Sequence, residues 1–156
     1  MRALANVEDG VIKAEIDIAA PPERVFRSLT EPAELTQWWG DDSMYRTYDW
    51  QVDLRPGGVW STRARGADGS ETTVGGEYIE VDPPRLLVYT WRPSWDGFVE
   101  TTVRCELHPT SAGTCVRITH TGFVDRSMEA EGTGEGWKRV LEWAARHLER
   151  GQAAHN

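Results

Sequence analysis

The sequence predicts an α+β domain: a curved antiparallel sheet of about seven strands around one long C-terminal helix, with two short helices after the first strand. Three observations predict it. Period-two alternation dominates from Thr47 to Thr121 and is broken only by turn sequences, with no interval long enough for a parallel crossover helix. Trp137, Val140, Leu141, Ala144 and Leu148 then recur at helical spacing, as one amphipathic face requires. Finally, 156 residues, 39% of them hydrophobic, suffice for one core without disulfide or metal staples. We expect a single domain over residues 1–156, with its core at about 11–150.

Each element follows from local chemistry. Val11–Ile18 alternates as a strand, and Pro21-Pro22-Glu23 stops it and opens a helix holding Val25, Phe26 and Leu29. Thr30 is the expected N-cap of a second short helix ending at Trp38-Trp39-Gly40. Asp41–Tyr48 reads as a polar turn. Strands follow at Thr47–Leu54 and Val59–Arg65, joined by Arg55-Pro56-Gly57-Gly58. The Ala67-Asp68-Gly69-Ser70 turn leads to Thr72–Val81, and Asp82-Pro83-Pro84 leads to Leu86–Trp91. Phe98–His108 and Thr114–Thr121 form the last hairpin. Gly132, Gly134 and Gly136 read as a loop, and the helix should run from Trp137 to about Arg150, where Gly151 stops it.

Composition excludes several functions. With 17 basic and 25 acidic side chains, a net charge of −8 argues against a duplex nucleic-acid binder, which needs clustered Lys and Arg. No apolar run approaches the ~20 residues of a membrane span, and MRALANVEDG lacks a signal peptide's apolar stretch, so a cytoplasmic location is expected. Cys105 and Cys115 have no metal-ligand spacing, and alternation points their thiols apart, so both should be reduced. The unusual feature is aromatic: 8 Trp against 4 Tyr and 3 Phe.

A curled sheet gripping one helix leaves space that large side chains either fill or line. Leu87, Tyr89 and Trp91 share one strand face, as do Val103, Cys105 and Leu107, and Val116, Ile118 and His120. With Trp137, Leu141 and Ala144 they describe a mostly apolar chamber, the character of a ligand pocket, although a packed core uses the same residues. The candidate ligand-binding set is Trp39, Trp60, Tyr78, Tyr89, Trp91, Val103, Cys105, His120, Trp137 and Leu141. His120 is its one titratable imidazole, able to orient a ligand or to sit as a satisfied core residue. A Cys105–His120 dyad would need an oxyanion donor and an orienting group, and the sequence points to neither. Arg55-Pro56-Gly57-Gly58 lacks a P-loop's Lys-Ser/Thr and following helix. The glycine-rich 132–136 segment is expected to hinge a portal. The acidic residues are dispersed as a solvated surface. No catalytic residue, metal set or cofactor is assigned. Trp50 and Trp95 have no place in this scheme, and Trp143 falls off the helix's main stripe.

Several blocks, in order, resemble a known family. They are Pro21-Pro22-Glu23-Arg24-Val25-Phe26, Trp38-Trp39, Asp53-Leu54-Arg55-Pro56-Gly57-Gly58 and the run from Gly76 to Leu86. Tyr89-Thr90-Trp91, Gly113-Thr114, Thr119-His120-Thr121-Gly122-Phe123 and Gly136-Trp137 complete them. Across about residues 11–149 the chain resembles the SRPBCC or START-like superfamily, and within it single-domain, bacterial-type members of the family named after activators of the heat-shock protein 90 ATPase. That resemblance implies the helix-grip fold. It leaves function open, because the superfamily hosts lipid carriers, polyketide cyclases, hormone receptors and chaperone cofactors. Only residues 1–10 precede the expected first strand, which leaves no room for the extra N-terminal domain of the eukaryotic activators.

Three functions therefore stand as expectations. The first is non-catalytic binding of an apolar or aromatic small molecule, lipid or polyketide-like, in the sheet–helix space. The second is a chaperone cofactor or protein-interaction module. The third is a cyclase-like enzyme using the same chamber, for which only His120 offers an acid or base. The expected state is a monomer or homodimer.

Overall fold

The computed structural model describes residues 2–154, with side chains described through residue 150. In chain order the strands are β1 (Leu4–Glu8), β2 (Val11–Ile18), β3 (Gly40–Asp41), β4 (Tyr45–Val52), β5 (Val59–Gly66), β6 (Glu71–Asp82), β7 (Leu86–Pro93), β8 (Thr101–Thr110) and β9 (Gly113–Thr121). Helices α1 (Pro22–Thr30) and α2 (Pro32–Trp38) follow β2, and α3 (Ser127–Ala154) ends the chain. The strands form one antiparallel sheet in the order β1-β2-β9-β8-β7-β6-β5-β4-β3. The α+β helix-grip architecture expected from the sequence is thus present, with two strands more than the alternation suggested.

One face of the sheet carries the core. Ile12, Ala14, Ile16 and Ile18 of β2 are buried, as are Val103, Cys105 and Leu107 of β8 and Val116, Ile118 and His120 of β9. Helix α3 does not lie over the middle of this sheet. It packs on β2 and β1, while α1 meets β8 and β9, and α2 meets β4. Because an antiparallel sheet twists, β4–β7 rise along the free side of α3 and leave a groove.

Five local readings need correction. Residues 4–8 are a strand: β1 pairs with β2 from Leu4↔Glu15 to Glu8↔Val11 and supports α3. Its half-exposed alternation is weak in the sequence because it lies at the sheet edge. Thr30 is not an N-cap; its hydroxyl donates to the Phe26 carbonyl (2.9 Å) at the end of α1, and α2 begins after Glu31 without a side-chain cap. The polar 41–48 segment is partly strand: Asp41 Oδ1 accepts the Ser43 and Met44 amides (3.0 Å each) in the turn between β3 and β4. Strand β8 starts at Thr101, since Ser94–Asp96 is a single 3-10 turn and Phe98 takes φ +60°.

Gly132, Gly134 and Gly136 lie inside α3, a 28-residue helix about 42 Å long at 1.5 Å per residue. They form a helical wall rather than a hinge loop, and the helix also runs past Gly151. Each interior glycine costs about 1 kcal/mol against alanine, so propensity alone argues for a break. Packing overrides it: Ala130 is fully buried, and a Cβ on Gly134 would stand 3.3 Å from Val7 Cγ2 and 3.7 Å from Ile12 Cγ2. The expected turn at residues 55–58 holds. Gly57 takes φ +84°, and a Cβ on Gly58 would fall 2.0 Å from the Asp53 carbonyl oxygen.

Candidate functional site: an aromatic wall and the groove beside it

Seven of the eight tryptophans form a continuous array, and Trp143 packs on Tyr45 instead. Trp38 stacks on Trp39 at the end of α2 (5.1 Å between centroids), and Trp39 meets Trp50 (5.5 Å), Trp137 (6.1 Å) and Trp91 (6.3 Å). Trp60 joins Trp50 (6.2 Å), Trp91 (5.6 Å) and Tyr89 (5.5 Å), and Tyr89 reaches Tyr78 (6.3 Å). Offset and edge-on pairs of this kind add roughly 0.5–1.5 kcal/mol each beyond area burial.

Burying an indole is favourable only if its N–H finds an acceptor. Five do so internally. Trp38 donates to the Ser28 carbonyl (2.8 Å), Trp50 to Thr47 Oγ1 (3.0 Å) and Trp60 to the Thr90 carbonyl (3.2 Å). Trp137 donates to His120 Nδ1 (3.1 Å) and Trp143 to Asp41 Oδ2 (3.2 Å).

His120 is fully buried inside a closed polar chain. Since an indole only donates, Nδ1 must accept and the proton sits on Nε2. Nε2–H then donates to Thr101 Oγ1 (2.6 Å), whose hydroxyl donates to the Trp91 carbonyl (3.4 Å). Burial pushes the imidazole pKa down to about 3. His120 is therefore neutral near neutral pH, and it holds Trp137 and Thr101 in place. Cys105 is buried as well, and burial pushes its thiol up to about 12. It lies opposite Ile118 rather than His120, and both cysteines are free. The tyrosines follow the same rule: burial raises Tyr78 to about 12 and Tyr89 well above its ordinary value.

Two spaces adjoin the array. The inner one, between α2, α3 and the sheet, has a volume of only about 40 Å³. Trp39, Trp60, Tyr78, Tyr89, Trp91, Cys105, Trp137 and Leu141 border it. Val103 and His120 border neither space; both are fully buried behind the wall. The outer space is the groove between α3 and β4–β7, about 810 Å³ and open to solvent. Of the predicted set only Trp39, Trp91 and Trp137 reach it. The side chains thus fill the inner chamber and line the outer groove.

Sequence reasoning missed several groove residues. Asp49 takes φ +55° in a bulge between Tyr48 and Gln51, which puts Trp50 on the same buried face as Thr47, three residues away. Alternation cannot register such a shift. Trp95 stands at the mouth, 59% exposed, on a turn whose Asp96 pairs with Arg126 from the β9–α3 connection. Tyr45, Val99, Phe123 and Arg139 also line the groove. Gly132 and Gly136 do so as well, and a Cβ on Gly132 would meet nothing within 4 Å. Helical continuity through the glycines was the missing signal: once α3 extends back to Ser127, positions 132, 133, 136, 139 and 140 share one face.

Solved structures share this architecture. A protein from Nitrosomonas europaea is 27% identical over 95% of this chain and 99% of its own, with a TM-score of 0.81. One from Chromobacterium violaceum is 26% identical over 91% and 99%, also with a TM-score of 0.81. The AHSA1 protein from Silicibacter pomeroyi is 25% identical over 90% and 99%, with a TM-score of 0.78. No curated protein matches the chain. Residues 19–149 match the family described as activator of Hsp90 ATPase homolog 1-like protein, and with its helix-grip sheet and C-terminal helix the chain belongs to that family.

Proposed function

We propose that this protein binds a hydrophobic or aromatic small molecule, lipid or polyketide-like, in the groove between α3 and β4–β7, without catalysis. The groove carries the reading. Its volume of about 810 Å³ lies within the roughly 300–1,000 Å³ of ligand pockets, and Trp39, Trp50, Trp91, Trp95, Trp137 and Phe123 line it. Trp91 and Trp95 have no internal acceptor for their N–H among the described residues, unlike the five paired indoles. The inner space of about 40 Å³ admits a water-sized guest and no more, so Trp60, Tyr78, Tyr89, Cys105 and Leu141 back the site as packed core. Catalysis finds no support in the two groups nominated for it. His120 has both ring nitrogens committed and a pKa near 3, and Cys105 stays a thiol.

Titrating intrinsic Trp fluorescence against a lipid and polyketide panel, with native mass spectrometry, tests this. A bound mass with changed emission is expected from at least one class; a whole panel without either overturns the reading.

A second reading has its own observation. Trp95 at the groove is 59% exposed, and Phe98, Val124 and Met128, each next in sequence to a groove-lining residue, are 59%, 70% and 83% exposed, apolar side chains of the kind used in protein contacts. The family description names Hsp90 ATPase activation, so a chaperone is the partner to test. Stimulation of a heat-shock protein 90 ATPase that is lost on Trp95→Ala and Met128→Ala supports it, and unchanged turnover removes it.

A further inference from the structure

Four charged side chains line the groove: Asp68, Asp96, Glu129 and Arg139. Two are spent within the fold. Asp68 Oδ1 accepts the Ser70 amide (2.9 Å) and hydroxyl (2.6 Å), and Asp96 pairs with Arg126. Glu129 lies in the first turn of α3, roughly 15 Å along the helix from Arg139 at 1.5 Å per residue. It is too far to neutralise the guanidinium.

Arg139 is unusual among its kind. The other half-buried arginines, Arg24 and Arg126, each hold a carboxylate. Arg139 has none among the described residues, and its Nε is buried without an acceptor. A guanidinium carries five N–H donors and no acceptor, and leaving a buried donor unpaired costs about 1–3 kcal/mol. The neighbouring acids are bonded elsewhere. Within one turn on α3, Glu135 pairs with Lys138 (3.0 Å) and Glu142 accepts the Ala3 amide (2.5 Å), while Asp41 on the facing turn has its oxygens taken by Ser43, Met44 and Trp143, so none of the three forms an ion pair with Arg139. Tyr45 stands beside Arg139 in the groove wall: burial raises its pKa, while the Trp39 indole and the Arg139 charge oppose that rise. The Tyr45 hydroxyl thus adds a second donor next to the guanidinium, and Trp39 and Trp50 present ring surface alongside.

We propose that the groove selects aromatic carboxylic acids, holding the carboxylate on Arg139 and the Tyr45 hydroxyl and the rings against Trp39, Trp50 and Trp91. The inference rests on the groove being the binding site and adds the ligand's charge and polarity. An arginine fork matches a carboxylate with two parallel hydrogen bonds, and the half-buried setting strengthens them. The apolar floor holds the uncharged part of the same molecule.

The probes are 1-pyrenebutyric acid and its methyl ester, titrated by Trp-to-pyrene energy transfer against wild type, Arg139→Gln, Arg139→Lys and Gly132→Trp. Circular dichroism checks each fold. The acid should bind wild type more tightly than the ester by roughly ten- to a hundred-fold, the worth of a charge-assisted hydrogen bond. Arg139→Gln should bring the acid down to the ester's affinity and leave the ester unchanged, with Arg139→Lys between. Gly132→Trp, which fills open space, should abolish binding of both. Equal affinity for acid and ester in wild type overturns the role of Arg139, and does so even if Arg139→Gln fails to fold. If both probes are nonetheless lost on Gly132→Trp, the groove itself stands as the binding site. Absence of binding by either probe, or binding that survives Gly132→Trp, overturns the groove reading and this inference with it.

Discussion

Acidification offers a direct test of the buried imidazole. In the native state His120 is neutral, with a pKa pushed down to about 3 by burial, whereas an unfolded chain protonates it at the ordinary 6.5. Protonation therefore favours unfolding. The stability contribution is complete above pH 6.5 and is lost as pH falls from there toward 3. Within that window the slope approaches 1.36 kcal/mol per pH unit, so going from pH 7 to pH 5 should cost about 2 kcal/mol. For a chain of this length that is a fall in Tm of roughly 4–8 °C. Other groups titrate over the same range, so the comparison must be differential. His120→Gln keeps an acceptor for Trp137 and a donor for Thr101 but cannot be protonated. Urea melts of both proteins at pH 7 and pH 5 should show wild type losing about 2 kcal/mol more than the variant. Equal losses would mean that His120 does not hold a depressed pKa, and the chain from Trp137 to the Trp91 carbonyl would have to be redrawn.

Other outcomes follow from the same geometry. Gly132→Ala should stabilise the protein by about 0.5–1 kcal/mol in urea melts, because the site is open and helical; destabilisation would argue against a helix there. Gly134→Val, by contrast, should cost about 1–3 kcal/mol, since its branches must displace Val7 and Ile12 of the β1–β2 support. Cys105 should react with a thiol reagent at pH 8 only at the rate of unfolding, while half-buried Cys115 reacts sooner; equal native-state rates would contradict the closed wall. Trp137→Phe should cost about 1–3 kcal/mol beyond its change in area, because His120 Nδ1 loses its donor in a dry site; a neutral substitution would show that water replaces the indole.

How far the sequence reaches can be judged residue by residue. Strands β2 and β5–β9 and the helix stripe from Trp137 to Leu148 are legible because each pairs a clean period with a chemically explicit turn, while β4 is legible only in part because the Asp49 bulge breaks its alternation. β1 and β3 are not: one is a half-exposed edge strand, the other two residues long. The glycines of α3 mislead for a physical reason. Local propensity counts the cost of each glycine, and only β1 and β2 beneath the helix show what that helix gains. The candidate wall was largely legible as well. Tyr89, Trp91 and Cys105 converge because alternation places them on the concave face, and Trp137 meets them from the helical stripe of α3, whereas Trp50 needs a bulge that no periodicity announces.

The amino-acid sequence by itself determined the family, the helix-grip order of elements and most of the aromatic wall, Trp50 excepted. These depend on patterning along the chain, where each residue's face follows from its neighbours. Tertiary structure decided that the wall closes the inner chamber and opens onto a groove, that His120 is buried behind the wall with both ring nitrogens bonded inside the fold, and that Arg139 has no carboxylate partner among the described residues. Volume and hydrogen-bond satisfaction are sums over residues far apart in sequence. Only when α3 settles at the β1–β2 edge, leaving β4–β7 to curve past its free side, do those sums take a definite value.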